Sequence, residues 1–229
     1  MELKLDLHVH TVYSLDSYIT LEEAIERAKE QGLDGVAITD HNTTKVCNRL
    51  PNNSGLIIVP GIEVSSLGAH ILGLGIRDNI PRSMPAAETV EAIHSLGGVA
   101  VIAHPTSILK GAKEETIKLA RPDAIETVNS STIWPFSTKM SRRLAEKLAL
   151  PQTGGSDAHT PKSIGTAYTR IDVDRPTLDD ILKALKEGRS KAEGGRDSWR
   201  NLAFRVGMRV IKSGRAFRSR PLSDPGLGL

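Results

Sequence analysis

Metal-ligand side chains recur along this chain in short motifs separated by apolar segments. Six of the seven histidines, two aspartates and one glutamate belong to these motifs, which read in order DLHVHTVYSLD, ITDHN, PGIEVSS, AHILGLG, IAHP and GGSDAH. Donors that bind one ion must approach it from several directions, so the fold has to bring distant segments together. This requirement is the strongest constraint that the sequence places on the fold.

Strand and helix patterns alternate along the chain. LKLDLHV is a predicted strand. The segments DGVAITD, GLIIVPGIEV and GGVAVIAHP are apolar and rich in β-branched residues, which is typical of parallel strands buried on both faces. Thr20 and Glu23 form a capping box that predicts a helix ending at Gly32. Further helices are predicted over 85–96, 138–148 and 177–188. This alternation predicts a single α/β domain built as a (β/α) barrel, with the ligand motifs at the C-terminal ends of strands.

Two pairs of candidate ligands are separated by one residue. His8 and His10 lie on a predicted strand, so both side chains leave the same face and can bind one ion, and Asp157 and His159 repeat this spacing. Imidazole and carboxylate donors without thiolates favour zinc, manganese or iron over a closed structural zinc site. His94 lies inside a predicted helix, where we expect a structural role.

Other classes of protein are excluded by composition. The chain has no apolar run long enough to span a bilayer and no signal peptide pattern at Met1, so we expect a cytoplasmic protein. A single cysteine, Cys47, rules out an internal disulfide framework. We expect this thiol to be partly buried and inert.

Basic residues accumulate after the predicted barrel. We place a catalytic domain over 1–188 and a basic segment over 189–229 that contains a C-terminal amphipathic helix and a disordered end. In that helix Arg205, Arg209 and Lys212 lie opposite an apolar stripe. The stripe could dock on the barrel, or the basic face could bind nucleic acid or a membrane surface.

The motifs HVHT with a following Asp, TDH, PGIE, a glycine-flanked His, AHP and GSDAH resemble those of the PHP domain, the polymerase and histidinol phosphatase superfamily. They occur in that family's order and cover residues 3 to about 188. The resemblance implies a distorted (β/α)7 barrel of the TIM-like PHP type, with up to three divalent ions, Mn, Zn or Fe. It also implies hydrolysis of phosphoesters.

The resemblance also assigns the ligands. His8 and His10 hold one ion with Asp157, and Glu63 bridges this ion to a second. The complete implied metal set is His8, His10, Asp16, His41, Glu63, His70, His104, Asp157 and His159. The second ion is completed by His70 and His104, and the third is held by Asp16, His41 and His159. All nine positions carry ligand-type residues, which argues against the degenerate, non-catalytic PHP domains found in some polymerases.

The implied reaction is in-line attack on a phosphoester by a metal-bridging hydroxide. The catalytic residues are then His8, His10, Glu63, Asp157 and His159. Asp6 and Asp40 lie beside ligands and are expected to orient imidazoles. For the substrate we propose Asn129, Lys139, Arg142 and Arg143 as phosphate contacts. Trp134 could stack on a base, but we assign it to packing.

Several functions stay open. A nucleotide or the 5′ end of a short oligonucleotide is the favoured substrate, since the motif spacing resembles PHP nucleoside bisphosphate phosphatases and 5′ to 3′ exonucleases. A histidinol-phosphate-type phosphatase and a non-catalytic module that binds nucleic acid through its basic tail are the alternatives. An amidohydrolase would need a carboxylated lysine at a strand end, and the candidate strand ends offer none.

Overall fold

The computed structural model describes residues 1–51, 53–108 and 111–197. The strands are Glu2–Val9 (β1), Gly35–Ile38 (β2), Ile57–Ser66 (β3), Ala69–Leu74 (β4), Val99–Ile102 (β5), Ala124–Asn129 (β6), Gln152–Gly155 (β7), Ala167–Asp172 (β8) and Ser190–Gly194 (β9). The helices are Leu21–Glu30 (α1), Ala86–Ser95 (α2), Glu114–Ala120 (α3), Ser137–Leu148 (α4) and Leu178–Lys186 (α5), with short 3₁₀ turns at Lys45–Arg49 and Pro161–Ser163.

The strands form one sheet in the order β7-β6-β5-β4-β3-β2-β1-β8-β9. Strands β1 to β7 therefore follow one another around the sheet in chain order, and β8 and β9 continue beyond β1. The pairs β1–β2, β2–β3, β5–β6 and β6–β7 are parallel, as predicted. β4 runs antiparallel to both β3 and β5, and β8 runs antiparallel to β1 and β9, so the sheet is mixed.

The sheet curls until its two ends meet. The segment after β7 returns to β1 through a parallel bridge between Ala158 and Val9, where the His10 amide donates to the Ala158 carbonyl at 3.0 Å. At the other side of β7, the Gly154 amide donates to Thr169 Oγ1 of β8 at 2.8 Å. The result is a nearly closed, barrel-like sheet, and the predicted α/β barrel is confirmed.

The helices pack on this sheet through apolar faces that the sequence spacing provides. In α1 the buried residues Leu21, Ala24 and Ala28 recur at helical intervals, and Thr20 and Glu23 form the predicted capping box. α5 contributes Ile181 and Leu185 to the core cluster that also contains residues of β1, β4 and β5. This packing holds the N-terminal ends of the parallel strands in place, and their C-terminal ends position polar side chains.

Two further expectations, on Cys47 and His94, have outcomes here, and a third has none. Cys47 is fully buried, with 1% of its surface exposed. His94 lies in α2 and binds Asp123 at 2.8 Å, as expected of a structural residue. The amphipathic helix and the disordered end expected after 197 lie outside the described residues, whereas Ser190–Gly194 forms β9, a strand that the sequence pattern did not predict.

Candidate metal centre

All nine candidate ligands lie at one end of the sheet. His8 and Glu63 are inside β1 and β3, and the others occupy the segments that follow β1, β2, β5 and β7, apart from His70. His70 is the second residue of β4 and pairs in register with Ser65 near the end of β3. Because β4 is antiparallel, its N-terminal end meets the C-terminal ends of its neighbours. The expectation that every ligand lies at a C-terminal strand end is corrected for this residue.

Four donor atoms of the first predicted set converge. His8 Nε2 and His10 Nε2 are 3.1 Å apart. They lie 3.4 and 3.3 Å from Glu63 Oε2, and 3.6 and 3.2 Å from Asp157 Oδ1. Ligand atoms 2.0–2.1 Å from a tetrahedral ion lie about 3.4 Å from one another, so this spacing fits a first coordination shell.

Glu63 divides its carboxylate between two groups of histidines. Oε2 faces His8 and His10, and it also lies 2.8 Å from His41 Nδ1. Oε1 lies 2.6 Å from His70 Nδ1 and 3.1 Å from His104 Nε2. One carboxylate is thus shared by neighbouring clusters of nitrogen donors, which is the arrangement of a bridging ligand.

The remaining candidates form a third group. Asp16 places Oδ1 3.6 Å from His41 Nε2 and Oδ2 3.4 Å from His159 Nε2. Donor atoms of His10, His41 and His159 all lie within 4.8 Å of one another. The structure therefore brings together the three predicted sets as three adjoining clusters.

Unsatisfied buried atoms support a metal role. His104 Nδ1 and His41 Nε2 are buried without a hydrogen-bond partner among the described residues. Buried polar atoms are normally satisfied, so such atoms in a cluster of ligand-type side chains indicate a missing partner. Nitrogen and oxygen donors of this type suit Zn, Mn or Fe.

Two candidate ligands have a positive backbone φ angle. His104 has a φ of 31° and Asp157 a φ of 53°, both in the left-handed region that non-glycine residues rarely adopt. Such conformations persist only where surrounding structure holds them, and they are concentrated at functional sites. Here they occur just after β5 and β7, at two of the candidate ligands.

Glu126 is a functional residue that the motifs did not indicate. It lies in β6 and is buried, with Oε1 2.9 Å from His8 Nδ1 and Oε2 accepting from the His104 amide at 2.8 Å. An acceptor on Nδ1 fixes the tautomer that leaves Nε2 available as a ligand. The signal was present in the sequence as a glutamate inside the otherwise apolar strand DAIETVN.

The two predicted orienting aspartates act differently from the expectation. Asp6 accepts from the backbone amides of Ser156 and Gly165, both at 2.9 Å, so it holds loops in place instead of an imidazole. Asp40 accepts from Ser14 Oγ at 2.6 Å, and Ser14 Oγ lies 3.2 Å from His10 Nδ1. Asp40 therefore reaches His10 through a serine that the sequence analysis missed.

Burial and charge shift the acid–base properties of the cluster. Burial raises the pKa of Asp6 to about 6, against the opposing hydrogen bonds from Ser156 and Gly165. Burial also lowers the pKa of His159 to about 4, with a contribution from the charge of His10, so His159 is neutral at neutral pH. Its Nδ1 donates to the Asp157 carbonyl at 2.8 Å, which leaves Nε2 with a lone pair facing Asp16.

The predicted phosphate contacts are not brought together. Asn129 lies at the end of β6, but its side chain is buried and donates to Glu126 Oε2 at 2.9 Å. Lys139, Arg142 and Arg143 are exposed on α4. Arg142 donates to the Ala192 carbonyl at 3.3 Å and lines a cavity with Pro151 at the opposite end of β7 from the clusters. The prediction for Arg142 is therefore wrong, because α4 turns this side chain toward β9.

Two family models match the chain. The PHP domain model covers residues 6–121, about half of the sequence, and the PHP-associated model covers residues 136–190. The first range contains seven of the nine candidate ligands and the second contains Asp157 and His159. The chain belongs to the PHP domain family.

Curated relatives agree with this assignment. An uncharacterized protein of Methanocaldococcus jannaschii is 33% identical over 141 residues, which are 56% of this chain and 82% of that protein. A phosphoribosyl 1,2-cyclic phosphate 1,2-diphosphodiesterase of Eggerthella lenta is 38% identical over 85 residues, 33% of this chain and 32% of that enzyme. A 5′-3′ exoribonuclease of Salmonella typhimurium is 32% identical over 134 residues, 52% of this chain and 44% of that enzyme. The matched segments thus cover less than half of the Eggerthella and Salmonella enzymes.

A solved structure confirms the PHP fold. The two-domain protein from Bacteroides vulgatus, described as containing a predicted PHP-like metal-dependent phosphoesterase, has a TM-score of 0.70 at 19% identity, over 85% of this chain and 65% of that one.

The named relatives are hydrolases of phosphoester bonds, which confirms the predicted enzyme class. The family and the His/Glu clusters together support binding of divalent metal ions. Within the described ranges, no helix is long and apolar enough to cross a membrane.

Proposed function

We propose that this PHP protein hydrolyses a phosphate ester of a nucleotide or of the 5′ end of a short oligonucleotide. The single observation that carries the proposal is the division of the Glu63 carboxylate between the His8–His10 cluster and the His70–His104 cluster. A shared carboxylate of this kind is suited to hold two adjoining cations, with Asp16, His41 and His159 as the ligands of a third. Mn, Zn and Fe all match these donors.

Bound divalent ions supply two properties that phosphoester hydrolysis needs, a water of lowered pKa and compensation of the negative phosphate oxygens. The chain's own residues prepare the site for them. Glu126 fixes the ring of His8, Ser14 with Asp40 fixes the ring of His10, and the Asp157 carbonyl fixes the ring of His159. Preset ring orientations lower the cost of binding metal, because the imidazoles of His8, His10 and His159 would not have to turn when the ions bind.

Among the described residues, His159 and His41 are the candidates for proton transfer to the leaving oxygen. His159 is neutral at neutral pH, so in a state in which its Nε2 is not a metal ligand it could take a proton from the attacking water and pass it to the leaving oxygen. His8 and His10 are completely buried and face carboxylates, so they are suited to ligand roles only.

The substrate preference is supported by the relatives and by charge. The Salmonella enzyme is named as a 5′-3′ exoribonuclease and the Eggerthella enzyme as a cyclic phosphate diphosphodiesterase, so related sites act on sugar phosphates with and without a polynucleotide. The segment after 188 is rich in Lys and Arg, and such residues provide sequence-independent affinity for nucleic acid. A histidinol-phosphate-type activity gains no comparable support.

The test is a substrate panel with the Mn-loaded protein. Nucleoside 5′-monophosphates, 3′,5′-bisphosphates, histidinol phosphate and a 5′-phosphorylated oligonucleotide are compared, with the double variant His8→Ala, His10→Ala as the control. We expect release of phosphate or mononucleotides by the wild type alone. A wild type that binds Mn and hydrolyses none of these substrates would show that the fold serves as a non-catalytic module.

A further inference from the structure

Exposed apolar side chains of the described residues gather at the metal-site end of the sheet. Val12 and Leu15 follow β1, and Ile108 follows β5. The loop after β6, residues 130–136, exposes Ile133, Trp134 and Phe136 together. A soluble protein rarely clusters exposed apolar groups without a binding role.

This β6–α4 loop borders the candidate site on two sides. Ser131 Oγ donates to the carbonyl of Asp157 at 2.9 Å. At its other end, Ser137 Oγ lies 2.7 Å from Oγ1 of Thr106, two residues after His104. The loop is therefore held between two candidate ligands, and residues 133–136 lie at the rim of the metal centre.

The two aromatic rings of the loop are arranged as a pair. Trp134 and Phe136 have centroids 5.9 Å apart at an interplanar angle of 65°, which is an edge-to-face contact. Trp134 keeps 43% and Phe136 keeps 58% of its surface exposed. Our expectation that Trp134 serves packing is wrong, because its neighbours leave much of the indole accessible.

A cation is hydrogen-bonded to the backbone of the same loop. The Arg196 guanidinium donates to the Ile133 carbonyl at 3.3 Å, and the next amide, that of Asp197, donates to the Ser130 carbonyl at 2.8 Å. Arg196 is exposed. Aromatic rings beside an arginine, at the edge of a site for phosphoesters, are the combination that binds single-stranded nucleic acid through base stacking.

We infer that Trp134, supported by Phe136, stacks on the nucleobase of the substrate while Arg196 faces its negative charge. The inference rests on the proposed function and makes it narrower: the substrate carries a base next to the phosphate that is cleaved. Trp134 would then determine specificity and would take no part in the bond-breaking step.

The test compares two substrates that share a phosphate group and differ in the base, adenosine 5′-monophosphate or a 5′-phosphorylated dinucleotide against ribose 5-phosphate. We expect Trp134→Leu to raise KM for the base-containing substrate about tenfold and to leave KM for ribose 5-phosphate unchanged. Trp134→Phe should restore most of the loss. Leu119→Ala, which removes another exposed apolar side chain on α3, is the matched control and should change neither KM.

A second readout does not depend on turnover. The chain has two tryptophans, so a Trp199→Phe background leaves Trp134 as the fluorophore. Saturable quenching by adenosine 5′-monophosphate, without quenching by ribose 5-phosphate, supports stacking whether or not the wild type hydrolyses either compound. If the wild type shows this quenching but hydrolyses neither compound, the proposed function fails and the stacking inference stands. Equal quenching by both compounds, or none, overturns the inference. Loss of self-association on Trp134→Leu, seen by light scattering, would likewise overturn it by assigning the rings to an interface between copies of the chain.

Discussion

His8 Nδ1 and Glu126 Oε1 lie 2.9 Å apart in the completely buried floor of the metal centre. His8 belongs to β1 and Glu126 to β6, so their contact links distant parts of the sheet. Glu126 also accepts from the His104 amide through its second oxygen. One carboxylate thereby positions candidate ligands of two clusters without being a candidate ligand itself.

We expect Glu126→Gln to weaken binding of Mn by about 10 to 100-fold, since the neutral amide holds the His8 ring less strongly and reduces its basicity. Isothermal titration with Mn measures this change. Glu146→Gln, on the exposed face of α4, is the control for loss of one charge and should bind Mn as the wild type does. An affinity that stays within twofold of the wild type would remove Glu126 from the site.

The affinity for metal should rise with pH. Burial lowers the pKa of His8 and His10, but the nearby carboxylates have the larger effect. Glu126, Asp157 and Glu63 raise the pKa of His8 well above its usual range. Asp157 and Glu63 raise the pKa of His10 to about 9. The metal-free cluster therefore holds protons at pH 7, and these must leave before the nitrogens can bind an ion. Between pH 6.5 and 9 we expect the Kd for Mn to fall about tenfold per pH unit for each proton released.

Proton release is measured by titrating Mn in two buffers of different ionisation enthalpy. The apparent enthalpy should differ between the buffers at pH 7 and converge above pH 9. In Glu126→Gln the pH dependence should be shallower, because a carboxylate that raises the pKa of His8 is gone. A Kd that is independent of pH would mean that the cluster is already deprotonated at neutral pH.

The sequence predicted most of what depends on local chemistry. The capping box of Thr20 and Glu23 follows from a spacing of three residues, the buried parallel strands β2 and β3 follow from local apolar runs, and all are present. The direction of β4 could not be predicted this way. AHILGLG has the same apolar character in either orientation, and only its pairing with β3 and β5 decides which end carries His70.

The same limit applies to the site. The motifs indicated the residues that now form three clusters, because each motif carries its own ligand-type side chain. Glu126 and Ser14 were missed because their roles come from partners on other strands, which no local pattern shows. Arg142 was assigned to phosphate from its position after β6, whereas the rotation of α4 turns it toward β9.

Gly155 leaves room for the His8–Glu126 contact. A Cβ at this position would lie 2.4 Å from the His8 Cβ and 2.9 Å from Glu126 Oε1. We expect Gly155→Ala to destabilise the fold by about 1–3 kcal/mol through overpacking and to reduce the Mn bound at saturation. Urea unfolding and metal analysis measure the two effects. Gly195→Ala, where a Cβ meets nothing within 4 Å, is the matched control and should be neutral.

The basic residues after 197 should contribute to binding of polynucleotides. The described chain ends at Asp197, whose amide is hydrogen-bonded to the Ser130 carbonyl beside the metal centre. We expect the triple change of Arg205, Arg209 and Lys212 to glutamine to weaken binding of a 5′-phosphorylated single-stranded oligonucleotide. The slope of log K against log salt should fall by about 2, from three lost contacts at about 0.7 each.

Fluorescence anisotropy between 50 and 200 mM salt gives this slope. The matched control changes three exposed lysines of α1 and α5, Lys29, Lys183 and Lys186, to glutamine, and it should keep the wild-type slope. Hydrolysis of a mononucleotide should be the same in all three proteins, since a mononucleotide offers a single phosphate group and the salt-dependent affinity comes from contacts with several phosphates. If the triple change leaves the slope intact and instead lowers the free energy of unfolding, the segment docks on the barrel, which is the alternative that the amphipathic pattern left open.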